Sequence, residues 1–170
     1  MKRNVIAVLV GLALSSSAMQ AAAQDTPPPK LAGDFMLRTT AGDSLQLSSL
    51  RGRVVLLNLW ATWCAPCLQE MPDLNELHES LGEEGLTVVG LAVDDEEDWP
   101  VVDRYAKRLG IIYPVVYGSM EAAQSVLGTG AYPILPTTLV IARDGSLVNR
   151  IVGTVPLEET TRSLKAMLRR

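Results

Sequence analysis

The chain has little of what many functional sites are built from: 2 cysteines, 1 histidine and 1 phenylalanine in 170 residues. Two cysteines cannot form the multi-bridge framework of a small secreted domain. A tetrahedral metal site would need two further ligands beside them, and His78 is the sole histidine. No apolar run approaches the roughly 20 residues of a membrane-spanning helix, since the stretch Val5 to Leu14 gives way to Ser15, Ser16 and Ser17. Positive charge is also scarce. With 15 Lys and Arg against 19 Asp and Glu, the net charge of −4 argues against nucleic acid as a partner. There are no internal repeats.

What is present begins with an export signal. Lys2 and Arg3 precede the apolar stretch, and Ala21-Ala22-Ala23 supplies an A-x-A cleavage pattern, so residues 1–23 read as a signal peptide cut after Ala23. Left uncleaved, the same segment would tether the protein to a membrane. Its removal takes away two positive charges and makes the chain more acidic. Residues 24–33, with Pro27-Pro28-Pro29, read as an extended linker. Residues 34–170 are long enough for one domain with a sizeable core.

Within that domain, short apolar pieces flank Ala41-Gly42-Asp43 between Asp34 and Leu50, the pattern of a small hairpin. Val54 to Trp60 is an almost continuous apolar run, as in a central strand buried on both faces. Leu68, Met71, Leu74, Leu77 and Leu81 recur at helical spacing and predict a long helix from near Pro66, with Pro72 inside it. A second apolar run from Leu86 to Val93 and a helix over Val101 to Leu109 complete a βαβ unit and predict a parallel strand pair. The acidic run Asp94 to Asp98 between them reads as a solvated helix start. An extended piece from Ile112 to Tyr117, a helix from Met120 to Leu127, a strand over Thr137 to Ile141 turning at Asp144-Gly145 into Leu147 to Val152, and a last helix from Leu157 to Leu168 follow.

The residues with the most chemistry lie at the junction of the first central strand and the long helix: Trp60-Ala61-Thr62-Trp63-Cys64-Ala65-Pro66-Cys67. A Cys-x-x-Cys opening a helix sets the first sulfur beside unpaired N–H groups and the positive end of the helix dipole, both of which favour the thiolate. As a structural staple the pair would close only a four-residue loop, worth about 1.9 kcal/mol against roughly 3 for a loop of 15. Redox exchange is the reading these arguments favour, with Cys64 attacking from an exposed tip and Cys67 resolving from the first helical turn. The group that carries electrons is then the disulfide itself, with no further cofactor and no metal.

The sequence resembles the thioredoxin-like proteins of the TlpA/ResA/CcmG group, exported bacterial disulfide reductases. The resemblance rests on Trp60 to Cys67, on Glu70-Met71-Pro72, and on Leu135-Pro136-Thr137-Thr138 with the strand and Asp144-Gly145 turn after it. It implies an α/β thioredoxin-like fold, a central mixed sheet with helices on both faces and an N-terminal β-hairpin extension. It also implies a cis-proline at Pro136 facing the cysteines, with the backbone of Leu135 free to pair with a client strand. Trp63, Ala65 and Pro66 complete the expected client-contacting set. Thioredoxin has a buried Asp six residues before its first cysteine, where this chain has Asn58; the resemblance assigns the acid–base role to Glu70 instead.

The implied partners are client proteins with disulfides or Cys-x-x-Cys motifs, such as apocytochromes c or copper-site proteins, and a membrane electron donor of the DsbD or CcdA kind. Members of the CcmG branch place Glu directly after the cis-proline, whereas Thr137 stands here, which favours the ResA or TlpA side. Two other readings remain open at this point: a metal-binding assembly factor or copper chaperone, and an oxidase of client thiols. His78, on the stripe of Met71 and Leu74, reads as packed structure.

Overall fold

The computed structural model describes residues 34–127 and 133–169; the expected signal peptide (1–23) and linker (24–33) lie outside the described residues. The core is a five-stranded sheet in the order β5-β4-β3-β6-β7. Strand β3 (Val54–Trp60) is buried along its whole length, as its apolar sequence requires, and so is β4 (Leu86–Ala92) beside it. The two run parallel, with Trp60 opposite Ala92, because helix α1 (Ala65–Leu81) carries the chain back between them. On the other side β3 pairs antiparallel with β6 (Thr137–Ile141), setting Leu59 opposite Thr137.

A tight turn joins β6 to β7 (Leu147–Val152). Gly145 takes φ 85°, which a side chain would resist, and the Asp144 carboxylate accepts from the Ser146 N–H at 2.9 Å. Strand β5 (Val115–Tyr117) pairs parallel with the end of β4. It is shorter than the apolar run from Ile112 suggests, because Pro114 has no N–H for a ladder; its carbonyl accepts from Gly90 instead, at 2.9 Å.

Helix α2 (Trp99–Arg108) starts two residues earlier than periodicity predicts. Pro100 falls in its first turn, where a missing N–H is harmless. Helices α3 (Met120–Leu127) and α4 (Leu157–Leu168) have the expected bounds. The hairpin of β1 (Met36–Arg38) and β2 (Ser44–Gln46) forms a separate two-stranded sheet. It is tied to the edge of the main sheet by the Thr40 N–H on the Val115 carbonyl at 3.0 Å and by the Arg38 guanidinium, 5.3 Å from the Tyr117 ring centroid. Leu56, Leu57, Leu59, Leu74, Leu91 and Leu139 are fully buried around β3, each contributing about 2 kcal/mol of apolar burial. No helix among the described residues is long and apolar enough to cross a membrane.

Candidate active site

The sheet topology brings several chain segments to one end of the molecule. β3 and β4 finish there, β6 begins there, and α1 and α4 have their amino ends there. The three residues Ala61 to Trp63 turn the chain from β3 into α1. Cys64 is the cap of that helix: its Sγ accepts from the Cys67 N–H at 3.3 Å, and Pro66 occupies the first turn. Cys64 and Cys67 are joined by a disulfide.

Exposure partly departs from expectation. Trp63 is 65% exposed, and Ala65 and Pro66 are exposed, but Cys64 is only 6% exposed and Cys67 not at all. The expected exposed tip at Cys64 is therefore corrected: in the disulfide-bonded form the first cysteine is buried as well. The difference between the sulfurs remains in the expected sense.

Across the end of the sheet, the Leu135–Pro136 bond is cis. The β3–β6 register carries Pro136 to the level of Trp60, next to the turn that delivers Cys64. The Pro136 carbonyl accepts from Gly153 at 2.9 Å, Ile134 is 64% exposed, and Leu135 is half-buried with no hydrogen-bond partner for its backbone among the described residues. Thr137 is buried and its hydroxyl donates to the Ile134 carbonyl at 2.6 Å.

Glu70 shares the buried face of α1 with Cys67, one turn away, and is 3% exposed. Its Oε1 accepts from Asn58 Nδ2 at 2.7 Å and its Oε2 from the Val155 N–H at 2.9 Å, so the carboxyl bridges β3 to the segment that opens α4. Burial raises its pKa above the ordinary 4.5, opposed by those two hydrogen bonds. Asn58, fully buried, also donates to Thr138 Oγ1 at 2.9 Å, while its own Oδ1 has no partner among the described residues. Facing Asn58 in the ladder is Gly90, whose missing side chain leaves room for Trp60 and Tyr113: an added Cβ would come within 3.1 Å of Trp60 Nε1 and 3.2 Å of Tyr113 Cε2. Tyr113 is buried, and burial, then the charge of Glu70, push its phenol well above its ordinary 10.0.

The acidic run needs a correction. Asp95 to Asp98 are exposed, as expected of a helix start, but Asp94 is 2% exposed and accepts from both the N–H and the hydroxyl of Thr62. The signal was available in its position, since it follows an apolar strand directly and so still belongs to the covered end of β4. Thr138 and Val155 were also missed, because partners of a buried carboxyl that lie so far along the chain leave no local pattern. His78 is half-buried; its Nδ1 accepts from the Val88 N–H at 3.4 Å, and burial, then the Arg53 charge, lower its pKa. Among the described residues no group of three or more His, Cys, Asp or Glu comes together as a metal site.

These features match known proteins. The AhpC/TSA family model matches residues 29–150. The thiol-disulfide oxidoreductase ResA of Bacillus anthracis is 33% identical over 141 residues, covering 83% of this chain and 76% of the relative. The ResA of Geobacillus kaustophilus is 35% identical over 136 residues, covering 80% and 75%. Among solved structures, a thiol:disulfide interchange protein of the thioredoxin family from Chlorobium tepidum superposes with a TM-score of 0.74 at 34% identity, over 83% of this chain and 97% of that one. A secreted thiol-disulfide isomerase from Corynebacterium glutamicum gives 0.75 at 25% identity, over 83% and 86%. A mixed five-stranded sheet, a Cys-x-x-Cys pair on the first turn of α1 and these matches lead to one assignment: the chain belongs to the AhpC/TSA family and is a thioredoxin-like thiol-disulfide oxidoreductase of the ResA type.

Proposed function

We propose that the protein is an exported protein-disulfide reductase whose domain, residues 34–170, works behind a signal peptide (1–23) and a linker (24–33). The Cys64 thiolate attacks one sulfur of a client disulfide, and the other client sulfur leaves as a thiolate and takes a proton. Cys67 then attacks Cys64, releasing the second client thiol and closing the Cys64–Cys67 disulfide, so two electrons pass from enzyme to client. Glu70 is the acid–base group that exchanges the Cys67 proton. The client segment lies over Trp63, Ala65, Pro66 and the cis Pro136, pairing with the open backbone of Leu135.

The observation that carries the direction is a buried carboxyl, rather than a cation, one helical turn from Cys67. A negative neighbour disfavours the thiolate, and strong oxidants of this chemistry owe their potential to a stabilised reduced form. Destabilising the reduced form makes the couple a better reductant. Export is supported by the leader-like residues 1–23 and by the secreted Corynebacterium relative. In an oxidising compartment the enzyme needs recharging, for which a membrane thiol-disulfide donor of the DsbD or CcdA kind is the partner. The absence of a Glu after Pro136 favours clients of the ResA or TlpA kind, including cysteines of apocytochromes c or of copper sites.

Trapping tests the roles. Cys67→Ala is expected to accumulate mixed disulfides through Cys64, and Cys64→Ala to accumulate few; equal trapping overturns the assignment. Equilibration with glutathione and dithiothreitol tests the direction. The potential is expected closer to the about −270 mV of thioredoxin than to the about −120 mV of DsbA, and a value near the latter makes the protein an oxidase of client thiols.

A further inference from the structure

We propose that Asp94 is a positioning residue for the Cys64 nucleophile, holding the Ala61–Trp63 turn so that the first sulfur keeps its place over the amino end of α1. The proposal rests on the reading of Cys64 as the attacking thiol. The turn has to reverse the chain in three residues, and its backbone is held at few points. The Cys64 N–H donates to the Ala61 carbonyl at 3.1 Å, and the Val93 N–H donates to the Trp60 carbonyl at 2.9 Å, stitching the ends of β3 and β4 together. Thr62 lies between these two bonds. Its N–H donates to Asp94 Oδ1 at 3.0 Å and Oδ2 at 3.2 Å, and its hydroxyl to Oδ1 at 2.6 Å.

A carboxylate at 2% exposure is costly to bury, and this one is retained with both oxygens turned on a single residue of the turn. A hydroxyl and an N–H of the same residue, gripped from the neighbouring strand, fix both the position and the rotation of that peptide. The next two residues are Trp63, which is 65% exposed beside the site, and Cys64. Released from Asp94, the turn keeps, among the described residues, only the Cys64 N–H bond to Ala61, and the sulfur loses its fixed relation to the Cys67 N–H that it accepts at 3.3 Å. That N–H and the helix dipole are what favour a thiolate at Cys64.

Comparing Asp94→Asn with Asp94→Ala isolates this role, because both remove the charge but only Asn keeps an oxygen for Thr62. The Cys64 thiol pKa is read by pH-dependent alkylation in a Cys67→Ala background, and the rate of reaction with glutathione disulfide and with insulin in the otherwise native protein. Asp94→Ala is expected to show a Cys64 pKa higher by about 0.5 than Asp94→Asn. It is also expected to be about tenfold slower toward insulin, with Asp94→Asn close to wild type. Thr62→Val, which keeps the N–H bond and loses the hydroxyl bond, should fall between, and it decides the question if Asp94→Ala does not fold. Equal pKa values and rates in Asp94→Ala and Asp94→Asn overturn the proposal, even if Asp94→Ala melts lower, since Asp94 then serves stability alone. Inactivity of wild type toward both disulfides would instead count against the proposed reductase, and the alkylation comparison would still decide the role of Asp94.

Discussion

The two ends of the central sheet solve the same problem with opposite charges. At the end where β3 and β4 begin, three arginines hold backbone carbonyls. Arg53 donates to the carbonyls of Gly82 and Leu86 and to Thr87 Oγ1, Arg143 to those of Gly52 and Leu168 at 2.6 and 3.1 Å, and Arg51 to that of Asp144. At the end where those strands finish, carboxylates hold N–H groups: Asp94 takes Thr62, and Glu70 takes Asn58 and Val155. Helix direction accounts for part of the division. Arg53 and Arg143 take the Gly82 and Leu168 carbonyls at the carboxyl ends of α1 and α4, where partial negative charge gathers, while Thr62 and Val155 donate to the carboxylates from the segments that lead into the amino ends of the same helices. The lesson is that the negative charge beside the cysteines is part of how this fold closes its ends, so the redox site draws its acid–base chemistry from groups that also hold the structure.

Substitutions at the two ends therefore differ in kind. The largest effect is expected from Asn58→Ala, which removes two buried hydrogen bonds and leaves a Glu70 oxygen and the Thr138 hydroxyl short of a donor. It should cost about 3 kcal/mol in urea unfolding of the oxidised protein, and a loss below about 1 kcal/mol would show that the carboxylate end is not held by this network. Arg53→Met keeps the aliphatic stem and removes the donors at the opposite end, for about 2 kcal/mol. Its disulfide-exchange rate should equal that of wild type; a slower rate would erase the distinction between a structural and a reactive end. The same variant should let His78 titrate higher, measurable by NMR, because the Arg53 charge helps to hold it down.

The sequence carried most of the fold and the reacting atoms, and left out what long-range packing adds. Strands β3 and β6 and helices α1 and α4 are legible because each has a largely apolar run or a clean helical period, and β7 because the Asp144-Gly145 turn places it against β6. Cys64 and Cys67 are legible because their chemistry depends on a local arrangement, the strand-to-helix junction. The resemblance assigns Glu70 its role, but its partners Asn58 and Val155, and the Thr138 hydroxyl that shares Asn58, belong to three other segments of the chain. By composition Asp94 belongs to one acidic run with Asp95 to Asp98, and only its place directly after an apolar strand sets it apart. The near burial of Cys64 likewise depends on packing at the end of the sheet, which no period or spacing encodes.

The finest test of the comparison is the pH dependence of Glu70. Both of its oxygens accept an N–H, so Glu70→Gln does not preserve the bonding: the new amide nitrogen must face either Asn58 Nδ2 or the Val155 N–H. The variant should lose about 1 kcal/mol for that mismatch. The size of the loss should also change with pH. Burial raises the folded-state pKa above the ordinary 4.5, so the folded protein binds the Glu70 proton more tightly than the unfolded chain does. That proton stabilises the fold fully below about pH 4.5, and its contribution is lost as pH rises through the raised value. Gln has no such proton. The advantage of wild type over Glu70→Gln in urea unfolding should therefore be greatest near pH 4 and should shrink toward pH 8, with both proteins oxidised so that the cysteines do not titrate. An advantage that is flat, or that grows as pH rises, would mean that the two N–H donors outweigh burial and that the fold holds the Glu70 proton no more tightly than the unfolded chain does, which removes the raised pKa on which its exchange of the Cys67 proton near neutral pH rests.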